Sequence, residues 1–202
     1  MNNINVVKER RSVKYFDPEH LIPAHEIKEL LSLSLLSPTA FNIQNWRFLV
    51  IDDIQLRQQL REASGDQLQV TDSSLLVVIC ADLMAWNKVP QRYWKNAPED
   101  VQQIMVPMIS EFFENDTQLQ RDEAMRSCGI AAQTLMLSAK AMGYDSCPMD
   151  GFDGDKVAEL IQLPEDHCLS MFVAIGKALK PARERAGQLP FEEVVLRNRF
   201  SK

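Results

Sequence analysis

Three side-chain amides fall close together at Asn42, Gln44 and Asn45, with no charge among them. Ser37-Pro38-Thr39 precedes them and Trp46-Arg47-Phe48-Leu49-Val50 follows. The proline run stops a helix, and the apolar run starts a strand. A turn of amides on the end of a strand offers several donors and acceptors in a fixed arrangement. It suits a flat heterocycle with carbonyls and ring nitrogens, and equally an ordinary polar loop whose Asn and Ser bond their own backbone. Upstream lies Arg10-Arg11-Ser12-Val13-Lys14. Guanidinium forks cover pairs of oxygens, and Ser and Lys complete a phosphate clamp. The solvated alternative is a basic surface run. In a chain of net charge -6 such a cluster is out of character, and it points to a small anion rather than a nucleic acid.

No nucleophile–base pair, Walker loop or dinucleotide-binding glycine turn accompanies these groups. The four cysteines, Cys80, Cys128, Cys147 and Cys168, form no CxxC pair, and the three histidines, His20, His25 and His167, have no zinc spacing, so no metal is expected. Cys80 falls in an apolar strand and Cys128 in an apolar helix, where each reads as a small core residue. For an enzyme, that leaves the chemistry to a bound cofactor, with the protein supplying position and electrostatics.

The elements that must position these groups follow from periodicity. Residues 23–36 read as a helix, with Pro23 near its start and Ile27, Leu30, Leu31 and Leu35 on one face. A strand follows over 48–51, then a polar helix over 54–63 stopped by Gly65. The unbroken apolar run 74–81 predicts a central strand buried on both faces. Trp86, Tyr93 and Trp94 fall in a loop or broken helix, and 99–114 predicts a helix carrying Met105, Met108, Phe112 and Phe113. These aromatics are either core packing or a substrate flap. The longest helix spans 121–142 and is closed by Gly143. From Cys128 onward it is apolar on nearly every side and must be buried, which points to a face around Ala132, Leu135 and Met136 shared between two subunits. Short helix 157–161 and strand 171–175 follow. The tail 181–202 carries Phe191, Val194, Val195, Leu196 and Phe200, too apolar to hang free, and is expected to wrap a neighbour. Alternating strands and helices imply α/β or α+β layering.

The 202 residues suit one domain, and an apolar share of 46 % is enough for a core. The acidic balance excludes nucleic-acid and membrane-surface roles. Neither a signal-type leader nor a run of about 18 apolar residues occurs, so a cytoplasmic protein without a membrane span is expected.

Four segments in order resemble the flavin-dependent nitroreductase family. RRSVKYF is followed, about one helix later, by SPTAFNIQNWRFLV, which is similar to that family's Ser-Pro-Ser-x-x-Asn-x-Gln-Pro-Trp-x-Phe signature. Pro148-Met149-Asp150-Gly151-Phe152 resembles its loop over the flavin ring, and Ile175-Gly176 with Arg183 and Arg185 resembles its last strand and second phosphate-binding pair. Asn45 departs from the usual Pro, and the segment around Asp66, Gln67 and Gln69 lacks the Lys of some relatives.

The resemblance implies an α+β, three-layer fold with a central mixed or antiparallel sheet flanked by helices and a C-terminal extension onto the partner subunit. It implies FMN held by Arg10, Arg11, Ser12, Lys14, Pro38, Thr39, Ala40, Asn42, Gln67, Gln69, Pro148, Met149, Asp150, Gly151, Arg183 and Arg185. The Asp150 and Gly151 backbone would meet the flavin N5 region, and no side chain would be catalytic. Phe41, Trp94, Phe112 and Phe113 would face the substrate, with 84–120 as a variable pocket region. The implied protein is a homodimer with FMN at its interface. It passes hydride from NAD(P)H to an electron-poor acceptor, such as a nitroaromatic, a quinone or an activated alkene, in a ping-pong cycle. The alternatives are a specialised enal or semialdehyde reductase of the same fold, or a non-catalytic flavin store or sensor.

Overall fold

The computed structural model describes residues 3–200; residues 1–2 and 201–202, the ends of the expected 1–202 unit, lie outside the described residues. Its elements are α1 (Asn3–Glu9), α2 (Ala24–Ser34), β1 (Trp46–Val50), α3 (Ile54–Ala63), α4 (Gln69–Asp72), β2 (Leu75–Asp82), α5 (Glu99–Phe113), α6 (Thr117–Ala141), β3 (Asp145–Met149), α7 (Gly154–Leu160), β4 (His167–Gly176) and α8 (Phe191–Val194). The sheet order is β1-β2-β4-β3, and every pairing is antiparallel.

Strand side chains alternate between faces, and here each face has its own core. Leu75, Val77, Ile79 and Ala81 join Val173 and Ile175 against α6 and Leu30 of α2. Leu76, Val78 and Cys80 join Phe172 and Ala174 against Leu60 of α3 and Val157 of α7. Every residue of β2 is buried, as its unbroken apolar run requires. The result is an α+β sandwich of three layers. Local chemistry sets the helix ends. Asp53, Asp116 and Asp153 accept from the amides of Leu56, Leu119 and Lys156 at the starts of α3, α6 and α7. At the end of α6, Gly143 takes φ 83°, and the amides of Gly143 and Tyr144 return to Lys140 and Ala139.

Two readings change. Ala132, Leu135 and Met136 lie in the chain's own core against the sheet, not on a face shared between subunits. One layer of helix over a four-stranded sheet buries that stripe without help; Ile130 of the same helix stays exposed. Residues 145–149 form an edge strand, so Pro148 and Met149, read from the sequence as part of a loop, end a strand instead. An edge position needs no ladder N–H on its outer side, so proline is tolerated there. No helix among the described residues is long and apolar enough to cross a membrane.

Candidate functional site

The cations of the N-terminal segment converge because that segment is pinned along the β3 edge. Val13 N donates to Ser146 O at 3.0 Å, and Val13 and Phe16 are buried, which leaves Ser12 and Lys14 outside. The chain after β4 runs beside it: Asp17 N reaches Lys177 O at 2.9 Å, and Leu179 N reaches Tyr15 O at 2.9 Å. Gly176 permits this approach, since a Cβ there would meet Phe16 and the Ser74 backbone at 3.1 Å. Arg183 and Arg185 are thereby carried back to Arg10, Arg11, Ser12 and Lys14. The six residues, with Tyr15 and Glu184, line a cavity of about 570 Å³. Arg11 donates to the Arg183 carbonyl, and Arg185 Nη2 donates to Lys8 O at 3.2 Å.

Two polar atoms at this edge have no hydrogen-bond partner among the described residues: Arg10 Nη1 and Ser146 Oγ, both buried. A buried guanidinium N–H without an acceptor is costly. An anion with several oxygens supplies the missing acceptors, so the donor set fits a phosphate group. Ser146 was not among the sequence candidates, because nothing local marks a serine as bridged to Ser12 across 134 positions of chain.

The loop beyond β3 continues the strand that carries Ser146. Gln67 Nε2 donates to Gly151 O at 3.1 Å and Ser64 O at 3.0 Å, and Gln69 Nε2 donates to Gln67 Oε1 at 2.9 Å. Gln69 is buried, so it orients Gln67 rather than meeting solvent. Pro148 and Met149 end β3, Asp150 and Gly151 are exposed, and Phe152 anchors the loop by stacking on Phe172 at 4.5 Å. The Gly151 amide donates no hydrogen bond among the described residues.

The amide turn is a strained knot at the start of β1. Phe41, Asn42 and Gln44 all have positive φ, at 51°, 56° and 45°. Non-glycine residues hold this region only where neighbours over-determine it. Here Gln44 N donates to Thr39 Oγ1 at 3.0 Å, Asn42 Nδ2 to Tyr93 O at 2.9 Å, and Trp94 Nε1 to Phe41 O at 3.0 Å. The aromatic segment is thus tied to the turn. Pro38 is exposed, and Thr39 and Ala40 are half-buried. Phe41 meets Phe112 at 5.1 Å. Phe112 is 42 % exposed but Phe113 only 1 %, in a satellite core with Ile43, Trp86 and Ile109. Neighbours on a helix point about 100° apart, so only one of the pair can face outward. Phe113 therefore supports the candidate substrate wall from beneath and does not line it.

One chain does not unite the two halves. The amide turn enters β1, one edge of the sheet; Ser146 and the Gly151 loop belong to β3, the other edge. Three strand spacings separate those edges, ~14 Å. No hydrogen bond or ring contact joins the two sets among the described residues.

A charge network also escaped the sequence reading. Asp82, 3 % exposed, takes Lys88 Nζ and Arg47 Nη2, each at 2.9 Å. Lys88 reaches Asp166 at 2.6 Å, which is also bonded to His167 Nδ1 at 2.6 Å. Hydrogen bonds from Lys88 and His167 push the Asp166 carboxyl down to about 2. The ligand atoms of Asp82, Asp166 and His167 lie within 4.8 Å of one another, but Lys88 supplies their cation. All four cysteines are free and buried. Burial pushes the Cys80 and Cys128 thiols up to about 12 and raises Cys147, against the pull of Lys14 and Arg10. None is poised as a nucleophile.

Comparison with known proteins gives the family. The chain is 50 % identical over 200 residues to Protein DrgA of Synechocystis, covering 96 % of this chain and 95 % of that one. It is 28 % identical over 192 residues to an oxygen-insensitive NADPH nitroreductase of Helicobacter pylori, covering 90 % of each. A crystal structure from Exiguobacterium sibiricum, in complex with FMN, superposes with a TM-score of 0.89 at 29 % identity, covering 96 % of each chain. The description of the nitroreductase family matches residues 7–177, the span that holds the N-terminal cations, the amide turn, the aromatic segment and the Gly151 loop, and the chain belongs to that family.

Proposed function

We propose that this chain is an NAD(P)H-dependent, FMN-containing reductase of electron-poor acceptors, and that two copies of it build each site. The observation that carries this reading is the cation cavity, with the unpartnered Arg10 Nη1 and, on the β3 strand that leads into the loop of the free Gly151 amide, Ser146 Oγ. The cavity offers phosphate donors and the loop a backbone donor. When bound, FMN supplies the two-electron relay between nicotinamide and acceptor.

The protein's own groups hold and shield. Arg10, Ser12, Lys14, Arg183 and Arg185 take the terminal phosphate. The Gly151 N–H would be available to steady negative charge on a reduced flavin, and Gln67 holds the loop that carries it. Trp94, Phe41 and Phe112 form an aromatic wall for a flat acceptor. Asp150 is exposed and offers backbone rather than proton transfer. A bound flavin would leave the protein to hold the reactants close, with no side-chain acid or base required.

The second copy supplies the amide turn, which its own chain keeps at the far sheet edge. Exposed apolar groups support such an assembly. Leu35 and Leu36 lead into the turn, Ile130 lies on the outer side of α6, and the tail carries Phe191 (69 % exposed) and Phe200 (85 %) with Val194, Val195 and Leu196. Within the tail, Val194, Leu196 and Phe200 line one hollow, and exposed large apolar side chains grouped in this way mark a contact surface.

The test is an anaerobic titration of the purified yellow protein with NADH and NADPH, followed by a panel of nitroaromatic, quinone and enone oxidants, with sedimentation in parallel. Bleaching by nicotinamide, recolouring by an oxidant and a two-chain mass are expected. A colourless preparation that FMN does not turn yellow refutes the reading, as does a monomer that retains FMN.

A further inference from the structure

The segment that carries Tyr93 and Trp94 is closed on itself by Tyr93 Oη donating to Ala85 O at 2.8 Å, and two further anchors hold it to the rest of the fold, with a strained residue between them. The first anchor is Lys88, whose ammonium bonds both oxygens of Asp82 at 2.9 Å and Asp166 Oδ2 at 2.6 Å. Asp82 ends β2 and also holds the Met84 amide at 3.0 Å; Asp166 immediately precedes β4. One side chain thus ties the segment to the ends of the two central strands. The second anchor is the amide turn, through Asn42 Nδ2 to Tyr93 O and Trp94 Nε1 to Phe41 O.

Between them Val89 adopts φ 53° and ψ 63°. A left-handed residue branched at Cβ is an outlier. Such a conformation persists only where its surroundings over-determine it. Here Lys88 is fixed before it, and the turn Pro90–Tyr93 is fixed after it. Freed from Asp82 and Asp166, the link has every reason to relax to negative φ. That motion carries Tyr93 and Trp94 off the Phe41–Asn42 turn.

We propose that Lys88 and Val89 form a latch that sets the aromatic wall against the amide turn, which makes Lys88 a positioning residue for acceptor choice. The proposal rests on the reading of that turn and wall as part of the reductase site. A fixed wall admits flat acceptors of one size and orients them; a loosened wall loses that discrimination. The latch has no contact with the cation cavity or the Gly151 loop among the described residues, so flavin reduction by nicotinamide, which also uses the amide turn, changes less than acceptor choice.

The experiment compares wild-type holoprotein with Lys88→Met, Lys88→Arg and Val89→Gly by hydrogen exchange and by kinetics. Met keeps the aliphatic stem and removes the charge. Amides of residues 85–97 are expected to exchange at least about tenfold faster in Lys88→Met. Lys88→Arg is expected to restore most of the protection. Val89→Gly removes the Cβ strain and keeps the latch, so its exchange is expected to be no faster than wild type. In Lys88→Met the KM ratio between a bulky and a small quinone is expected to shift by at least about threefold, and the rate of flavin reduction by a smaller factor. Should Lys88→Met fail to fold, Asp166→Asn breaks the outer half of the latch and is expected to move both readouts in the same direction.

Unchanged exchange in the charge-removed variant overturns the latch. Loosened exchange with an unmoved KM ratio overturns the positioning role. A chain that takes up no flavin refutes the reductase reading instead, and the exchange result still decides whether the latch exists.

Discussion

Arg10→Met separates a binding cation from a structural one, because the two roles predict opposite signs. Arg10 Nη1 is buried with no partner among the described residues. In the flavin-free chain that orphaned N–H costs about 1–3 kcal/mol. Methionine removes the cost and keeps an apolar stem in place. Flavin-free stability should therefore hold or rise, by about 2–4 °C in Tm for each kcal/mol recovered. With FMN bound the sign reverses. The variant loses a charge-assisted hydrogen bond of about 1.5–3 kcal/mol, which weakens affinity about 10- to 150-fold. Quenching of flavin fluorescence during titration reads Kd, and calorimetry of the flavin-free protein reads Tm. Kd within about threefold of wild type would show that no phosphate meets Arg10. A fall in flavin-free Tm alongside weaker binding would show that Arg10 supports the fold and acts on FMN only through it.

Other consequences are independent of that one. Leu135→Ala should cost about 2.7–5 kcal/mol in denaturant unfolding, since Leu135 is fully buried between α6 and the sheet; dissociation of the assembly without loss of chain stability would contradict that placement. Removing residues 189–202 should yield a monomer by sedimentation that no longer retains FMN, and an intact two-chain particle would refute the tail's role. Trp94→Ala and Phe112→Ala should change which oxidant is accepted more than they change stopped-flow reduction by nicotinamide. Asp150→Asn should slow that reduction only modestly, and a loss of about 10⁴-fold at full FMN occupancy would exceed what cofactor-only chemistry allows. The Asp166 carboxyl is held from its ordinary 3.8 down to about 2. A folded value below the unfolded one adds stability above about pH 4, which is lost as pH falls through about 2. Salt screens this exposed pair, so the acid-induced drop in Tm should shrink at high ionic strength.

Much of this protein is legible in its sequence because the deciding interactions are local. The unbroken apolar run at β2 could only be a strand covered on both faces, and Gly143 marks the end of α6 by its left-handed turn. The basic run, the amide turn and the PMDGF loop stand out by residue type at short spacing, so the chemistry of the site was readable before its shape. What the sequence left open depends on contacts between distant positions. Whether the apolar stripe on α6 faces the sheet or another subunit is a matter of how many layers cover it; the fold buries Leu135 inside and leaves Ile130 outside. Phe112 and Phe113 are equivalent in composition, and only the direction of α5 makes one a wall and the other its support. Lys88 looks like any surface lysine until β2 and β4 bring Asp82 and Asp166 around it, 6 and 78 positions away. The sheet order, finally, sends the cations and the amides to opposite edges, a separation no spacing along the chain could reveal, because strand pairing follows the burial of faces and not the order of motifs.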